Sequence, residues 1–472
     1  MTSANTPDSS PRLGLKPRPR LFSGHRPALV AFLSLALLCA YGWKWSVGQR
    51  WAVETYDTSA SSLNTSNSGE KTRGTTDNRH MVRLEPEIFA EIPRETLPDF
   101  KNPCWYEKVP ETKLDSNPYK TGKYCNSGGK TMKTLNGLSK HFRDRLKHNE
   151  TGYFRLRCLP YFYIIGMPKC GTSDLYYRLT QHPAVVGGLK KEPHYWTRKC
   201  FYNQMTGVIP SVTVPVQDYL DLFDGAAWSI QSRVNKRLTS SGQEVVNHDV
   251  ITGEASVSTL YDNRRWGPES WDVSTNEPAV LVVNLLRAVQ PHAKFILTIR
   301  DPAERLYSEY LYFTQGKKSA AKFHEDVIIA VDGFNACLKN DSVRSCTYQP
   351  NLVKTRSVRL QLGLYEVYLR DWFSVFPPEQ ILVQRLEDHS KNPRVTMTRV
   401  FEFLRLGPVQ GKSQKAIFTS KKGHARRSQD VRLGPMLPKT RQILDEFYRP
   451  HNRRLAALLN DTRFLWLKDG SV

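Results

Sequence analysis

Apolar positions along the chain fall into two periods. Tyr161-Phe-Tyr-Ile-Ile165 is a short run of aromatic and β-branched residues that reads as a buried strand; a loop with Gly and Pro follows, then a helical segment over 172–180. The alternation returns downstream. Residues 279–289 carry helical spacing, 294–299 read as a second buried strand, and 301–313 as a helix with Pro302 in its first turn, where proline is tolerated. A further helix is predicted over 357–373, ended by Pro377-Pro378 ahead of a strand at 380–384. Late helices are expected over 393–404 and 439–459, the second broken or kinked at Pro450. Strands alternating with helices predict an α/β fold: a P-loop-like, mostly parallel sheet covered by helices on both faces. Such sheets bind ligands beyond the carboxyl ends of their strands.

The first hundred residues depart from this pattern. Ala28 to Trp43 carries no charge, and a snorkelling Lys44 extends the stretch to Val47, enough for the roughly 20 residues that a bilayer requires. Arg12, Lys16, Arg18, Arg20 and Arg26 precede it against Asp8 alone, so the positive-inside rule puts residues 1–27 in the cytosol and the rest in the lumen. A cleaved signal peptide is the rival reading. The long basic lead, and the lack of a clean cleavage site after Cys39-Ala40, favour an uncleaved anchor over 28–47. Residues 48–97, rich in Ser, Thr, Asn and Gly, are expected to form a flexible stem. Residues 98–472 then form the lumenal domain, opening with an irregular lead-in over 98–157.

Charge and cysteine content sharpen this. The chain's 472 residues carry 68 Lys+Arg against 45 Asp+Glu, a net +23 that predicts an acidic partner. Lumenal residence argues against nucleic acid and for a secretory-pathway polysaccharide. Sequons stand at Asn64, Asn149, Asn340 and Asn460. Of eight cysteines, Cys39 lies in the span and Cys170 in the loop after the first strand. The others (Cys104, Cys125, Cys158, Cys200, Cys337 and Cys346) allow three disulfides, and Cys337 with Cys346, nine apart around a polar loop, is the favoured pair. No CxxC or HxxxH spacing occurs, so no metal requirement is expected.

Three constellations carry chemistry. The first, Gly166-Met-Pro-Lys169-Cys170-Gly171-Thr172-Ser173, sits between strand and helix, where backbone N–H groups and the helix dipole hold phosphate. Its glycines have Walker spacing, but Thr172 stands where the Walker lysine would, and the cation lies inside the loop at Lys169. The second is Arg300-Asp301-Pro302 at the end of strand 294–299, with Ser308 on the helix behind it. An arginine there suits an unmetallated phosphate, where a nucleoside triphosphatase would often place a magnesium-binding carboxylate. An Arg–Asp surface pair is the bland alternative. Two phosphate sites on one sheet suggest a nucleotide with separate 5′ and 3′ phosphates. The third is Lys190-Lys191-Glu192-Pro193-His194, where Glu192 is placed to take a proton from an alcohol with His194 in support. Here the bland alternative is a Glu192–lysine pair beside a packed histidine.

These elements, in this order, resemble the sulfotransferases that use 3′-phosphoadenosine 5′-phosphosulfate (PAPS), especially the Golgi carbohydrate branch. The resemblance implies that Lys169, Cys170, Gly171, Thr172 and Ser173 hold the 5′-phosphosulfate, with Lys169 neutralising the leaving phosphate, and that Arg300 and Ser308 hold the 3′-phosphate. The heparan 3-O-sulfotransferases carry a K-E-x-H-F-F-D segment whose glutamate is the base; Lys191, Glu192 and His194 match it, while its aspartate falls on Thr197. Gly363-Leu-Tyr365, Trp372, Phe376-Pro377, Gln380-Ile-Leu-Val383 and Glu387-Asp388 continue the likeness, which covers roughly 161–466.

Segments 164–175, 191–199, 253–260 and 433–438 are most similar to the enzymes that add a 6-sulfate to GalNAc 4-sulfate in chondroitin or dermatan chains. A sulfated glycosaminoglycan acceptor and a single-pass type II Golgi location are thereby implied, and a homodimer is compatible with them. The basic run over 411–432 includes Arg426, Arg427 and Lys422-Gly423, the latter matching a Lys-Gly cofactor element of the family. Three other readings stay open: a sulfotransferase acting on uronic acid or heparan, a non-catalytic lumenal glycan-binding protein, and a kinase-like P-loop enzyme.

Overall fold

The computed structural model describes residues 78–122, 129–199, 213–238, 241–263, 271–349, 352, 358–420 and 426–467. The anchor at 28–47, Asn64, Cys125, Cys200 and Lys422-Gly423 lie outside the described residues. Among the described residues no helix is long and apolar enough to cross a membrane.

Five strands form the central sheet: β1 (Phe162–Gly166), β2 (Val185–Gly187), β3 (Ile251–Glu254), β4 (Lys294–Ile299) and β5 (Ile381–Arg385), in the order β5-β4-β1-β3-β2 and parallel throughout. Side-chain period two decides what lies on each face. Tyr163, Ile165, Phe295, Leu297 and Ile299 enter the larger core, whereas Phe162, Ile164, Ile296, Ile251 and Leu382 enter a second core on the other face. Both faces are dry, as a parallel sheet between helices requires. From β1 the chain moves first to one side (β2, β3) and then to the other (β4, β5). The switch point therefore lies between β1 and β4.

Helices α1 (Thr172–Leu179), α2 (Val282–Val289), α3 (Pro302–Phe313), α4 (Tyr365–Phe373), α5 (Leu386–Lys391), α6 (Pro393–Leu404) and α7 (Pro438–Leu459) cover or flank the sheet. β4 and α6 fall on their predicted residues. The α2 helix starts three residues late because the Asn284 side chain accepts the Leu281 N–H at 2.9 Å and sets the first turn there. The expected helix over 357–373 is α-helical only from Tyr365, with a single 3₁₀ turn over Leu360–Gly363 before it. A Cβ at Gly363 would lie 2.6 Å from the Tyr448 ring and 2.9 Å from Pro302, so the chain turns at that contact. The α7 helix runs unbroken through Pro450, with Leu444 and Tyr448 buried before it and His451 and Leu455 after it.

Two segments are more ordered than expected. Cys104–Val109 and Lys147–Asn149 pair antiparallel on either side of Gly152–Cys158, so the lead-in is a small sheet. Cys104 faces Cys158 in register and is bonded to it; Cys337 and Cys346 form the second disulfide. Inside this sheet Arg157 reaches Asp221 at 2.6 Å, Asp224 at 2.9 Å and Glu107 at 2.7 Å. The last part of the expected stem is helical over Asn78–Leu84 and Pro86–Glu91, with Met81, Ile88 and Ile92 buried in the larger core. Packed structure thus begins by residue 78, twenty residues before the composition shift.

Candidate active site

Beyond the carboxyl ends of β1 and β4 opens a cleft of about 760 Å³. Its lining includes Lys169, Gly171, Thr172, Ser173, Glu192, Arg300 and Ser308, so residues from all three sequence constellations meet in one place. Gly171 shapes the near wall. Its φ of +79° favours glycine, and a Cβ would lie 2.6 Å from the Leu386 side chain. Thr172 and Ser173 open α1, whose first turn leaves N–H groups without intrahelical partners beside the cleft.

The lining mixes charges: Lys169, Arg178, Arg300, Arg426 and Arg427 stand among Asp174, Glu192, Glu387 and Asp430, with Arg178 paired to Asp174 and Arg427 to Asp430. Burial lowers the Lys169 ammonium to about 8; Glu309 pulls it up, while Arg427 and Arg300 push it down. Its Nζ sits 3.6 Å from the centroid of the Tyr312 ring, and Arg427 lies over the same ring at 5.5 Å. Arg300 is not paired with Asp301. Its guanidinium contacts Glu304 at 3.2 Å, and its carbonyl accepts from the Tyr365 hydroxyl at 2.8 Å. Asp301 instead caps α3 through the N–H groups of Ala303 and Glu304 and binds Arg441 at 2.6 Å. Ser308 stands two turns along α3, half-buried on the cleft side.

Glu192 and His194 both have left-handed backbone, φ 61° and 57°, on either side of Pro193. One oxygen of Glu192 is ion-paired with Lys191, and the other lies 3.5 Å from Nε2 of His194. Burial raises the Glu192 carboxyl, but His194 and Lys191 outweigh it and hold the group down at about 2. His194 is pushed down chiefly by burial, against the pull of Glu192. Its Nδ1 lies 2.7 Å from the Ser258 hydroxyl, and its N–H donates to Ser256 at 2.9 Å.

A family model described as "Sulfotransferase domain" matches residues 159–431. Carbohydrate sulfotransferase 15 of Homo sapiens is 45% identical over 396 residues, covering 84% of this chain and 70% of that protein. The chain belongs to the sulfotransferase family. The Mus musculus carbohydrate sulfotransferase 15 is 46% identical over the same length. The Bifunctional heparan sulfate N-deacetylase/N-sulfotransferase 2 of Mus musculus is 24% identical over 327 residues, 66% of this chain and 31% of that protein. This sulfotransferase is therefore of the carbohydrate branch, and PAPS is its sulfuryl donor.

Two residues at family positions are fully buried. Cys170 does not line the cleft: its thiol is fully buried, pushed up to about 12 by that burial, and its N–H is taken by the Met167 carbonyl at 3.3 Å. Thr197, at the aspartate's position in the heparan enzymes, is wholly buried and contacts the His194 carbonyl at 3.2 Å and the Ser258 hydroxyl at 3.0 Å. Other lining groups lacked a role at the sequence level. Asp174 receives Arg178 at 2.6 Å and lies 3.0 Å from His389, and all three reach the cleft. Arg426 and Arg427, visible only as part of a basic run, line it too. Ser256 and Ser258 fall within the family-like segment 253–260, but nothing in the sequence assigns them to His194.

Proposed function

We propose that the enzyme transfers the sulfuryl group of PAPS to a hydroxyl of a glycosaminoglycan, the 6-OH of GalNAc 4-sulfate in chondroitin or dermatan sulfate. The observation that carries the chemistry is a carboxylate, Glu192, in the same cleft as Lys169 and Arg300. Bound in that cleft, the donor supplies an electrophilic sulfur and a phosphate leaving group. A glycine-walled cradle next to the start of α1, lined by Lys169, Arg300, Arg426 and Arg427, fits the phosphates of such a donor. Glu192 accepts the acceptor's hydroxyl proton as the new O–S bond forms. Lys169 neutralises the charge that develops on the phosphate oxygen as the old S–O bond breaks. Arg300 and Ser308 hold the 3′-phosphate, and this fixes the reacting ends in line.

In this reading side-chain cations supply the charge stabilisation, and turnover needs no metal; activity that disappears with EDTA and returns with a divalent cation contradicts it. A carbohydrate acceptor is supported by the relatives named carbohydrate sulfotransferase 15, an anionic one by the +23 net charge, and the GalNAc 4-sulfate 6-OH by the likeness over 164–175, 191–199, 253–260 and 433–438. A type II arrangement with its anchor at 28–47, a stem that ends near residue 78, and a lumenal Golgi location complete the reading. Exposure of Asn149, Asn340 and Asn460 is compatible with glycosylation. The test is transfer from 35S-labelled PAPS to chondroitin 4-sulfate, desulfated chondroitin, dermatan sulfate and heparan sulfate, with disaccharide analysis. A 4,6-disulfated GalNAc product is expected. Label on another chain or position overturns the acceptor assignment, and no label on any chain overturns the enzyme reading.

A further inference from the structure

Both oxygens of Glu192 are engaged before any acceptor arrives. One meets the Lys191 ammonium and the other faces His194. These partners differ in freedom. His194 is buried, and its ring is held by Ser258 and its N–H by Ser256. The left-handed backbone at Glu192 and His194, locked around Pro193, fixes the segment that carries them. Lys191 is a long side chain, 23% exposed, beside a carboxylate that is 35% exposed. It is the partner that can leave. A carboxylate held near pKa 2 is also a weak proton acceptor, because base strength falls with pKa. A neutral acceptor hydroxyl offers the Lys191 ammonium a hydrogen bond but no charge in exchange. A sulfate ester beside that hydroxyl offers it a competing anion.

We propose that Lys191 is a latch on Glu192 which a sulfate ester of the acceptor releases, so that preference for already sulfated chains is expressed in kcat as well as in binding. The inference rests on Glu192 as the base. Once Lys191 turns to the sulfate, Glu192 keeps His194 as its orienting partner, regains basicity and has a free oxygen for the hydroxyl proton.

The test compares kcat and KM at saturating PAPS on chondroitin 4-sulfate and on its desulfated form, for wild type, Lys191→Met, Lys191→Gln, Lys191→Arg and Glu192→Gln. Removing the charge should raise kcat on the desulfated chain about fivefold, the scale of a partly exposed ion pair. It should also raise KM for the sulfated chain, so that the kcat ratio between the two acceptors falls toward one; Lys191→Arg keeps the wild-type ratio. If both uncharged variants bind 3′-phosphoadenosine 5′-phosphate normally yet gain no kcat on the desulfated chain, Lys191 is a plain binding residue and the latch is overturned. Lys191→Met and Lys191→Gln carry the same expectation, so one misfolded variant does not decide the matter. Wild-type kcat in Glu192→Gln would remove the base reading beneath it. An inactive Glu192→Gln, with no gain in the uncharged variants, removes the latch alone.

Discussion

The hydroxyl of Ser258 lies 2.7 Å from Nδ1 of His194. Burial favours the neutral form of His194, and in that form, with Nε2 facing the Glu192 carboxylate, the proton belongs on Nε2 and Nδ1 accepts from Ser258. Ser258 thus sets the tautomer and aims the ring. Ser258→Ala should lower kcat by up to about 100-fold through misorientation of Glu192. Its affinity for 3′-phosphoadenosine 5′-phosphate, measured by calorimetry, should stay at the wild-type value. A parallel loss of donor affinity would mean that the serine acts on the fold and not on the base.

Gly171 makes the donor cradle sensitive to a single methyl group. Alanine there meets Leu386 at 2.6 Å in a backbone conformation that L-residues avoid. Gly171→Ala should weaken donor binding by about tenfold while circular dichroism reports an intact sheet, since Gly171 lies outside every strand.

Lys169 should make donor binding pH-dependent. The free enzyme's ammonium titrates at about 8, and a bound phosphate raises that value because it favours the charged form. Affinity is therefore constant below about pH 8 and falls as the pH rises through it, by up to about tenfold per unit. Calorimetric titration of 3′-phosphoadenosine 5′-phosphate between pH 6.5 and 9.5 should show this break, and Lys169→Arg should remove it.

Residues 78–92 belong to the folded domain. Glu85 and Glu87 hold the buried Lys199, at the end of the segment that carries Glu192, and Met81 and Ile88 are fully buried. A secreted head starting at residue 98 removes both carboxylates and three core side chains, including Ile92. It should be less stable than one starting at residue 71 by at least about 3 kcal/mol. Denaturant unfolding of the two heads reads this directly.

Where neighbours along the chain decide an element, the sequence was sufficient. All of β4 is an apolar-rich run, and α6 is announced by Asn392, whose side chain caps it, and by Pro393 in its first turn. Where distant groups decide, it was not. The 152–158 strand carries Arg155 and Arg157, charges that read as loop until Asp221 and Asp224 arrive from elsewhere in the chain to pair with them. The break before α4 is set by Tyr448 and Pro302 pressing on Gly363. In the site, the residue types and order of Lys169, Glu192, Arg300 and Ser308 were legible, but the Ser258 support of His194 exists only once β3 lies beside β1. The bland reading of Glu192, a pair with Lys191, is what the structure contains, and the same carboxylate lines the cleft.

The central claim is that Glu192 receives the acceptor's proton in the cleft where the donor binds. Single-turnover transfer from labelled PAPS by Glu192→Gln, at matched occupancy of donor and acceptor, tests it most directly. The account predicts donor affinity within about twofold of wild type and a transfer rate lower by about 10²–10⁴. Transfer at the wild-type rate would contradict it and send the search for the base elsewhere in the cleft.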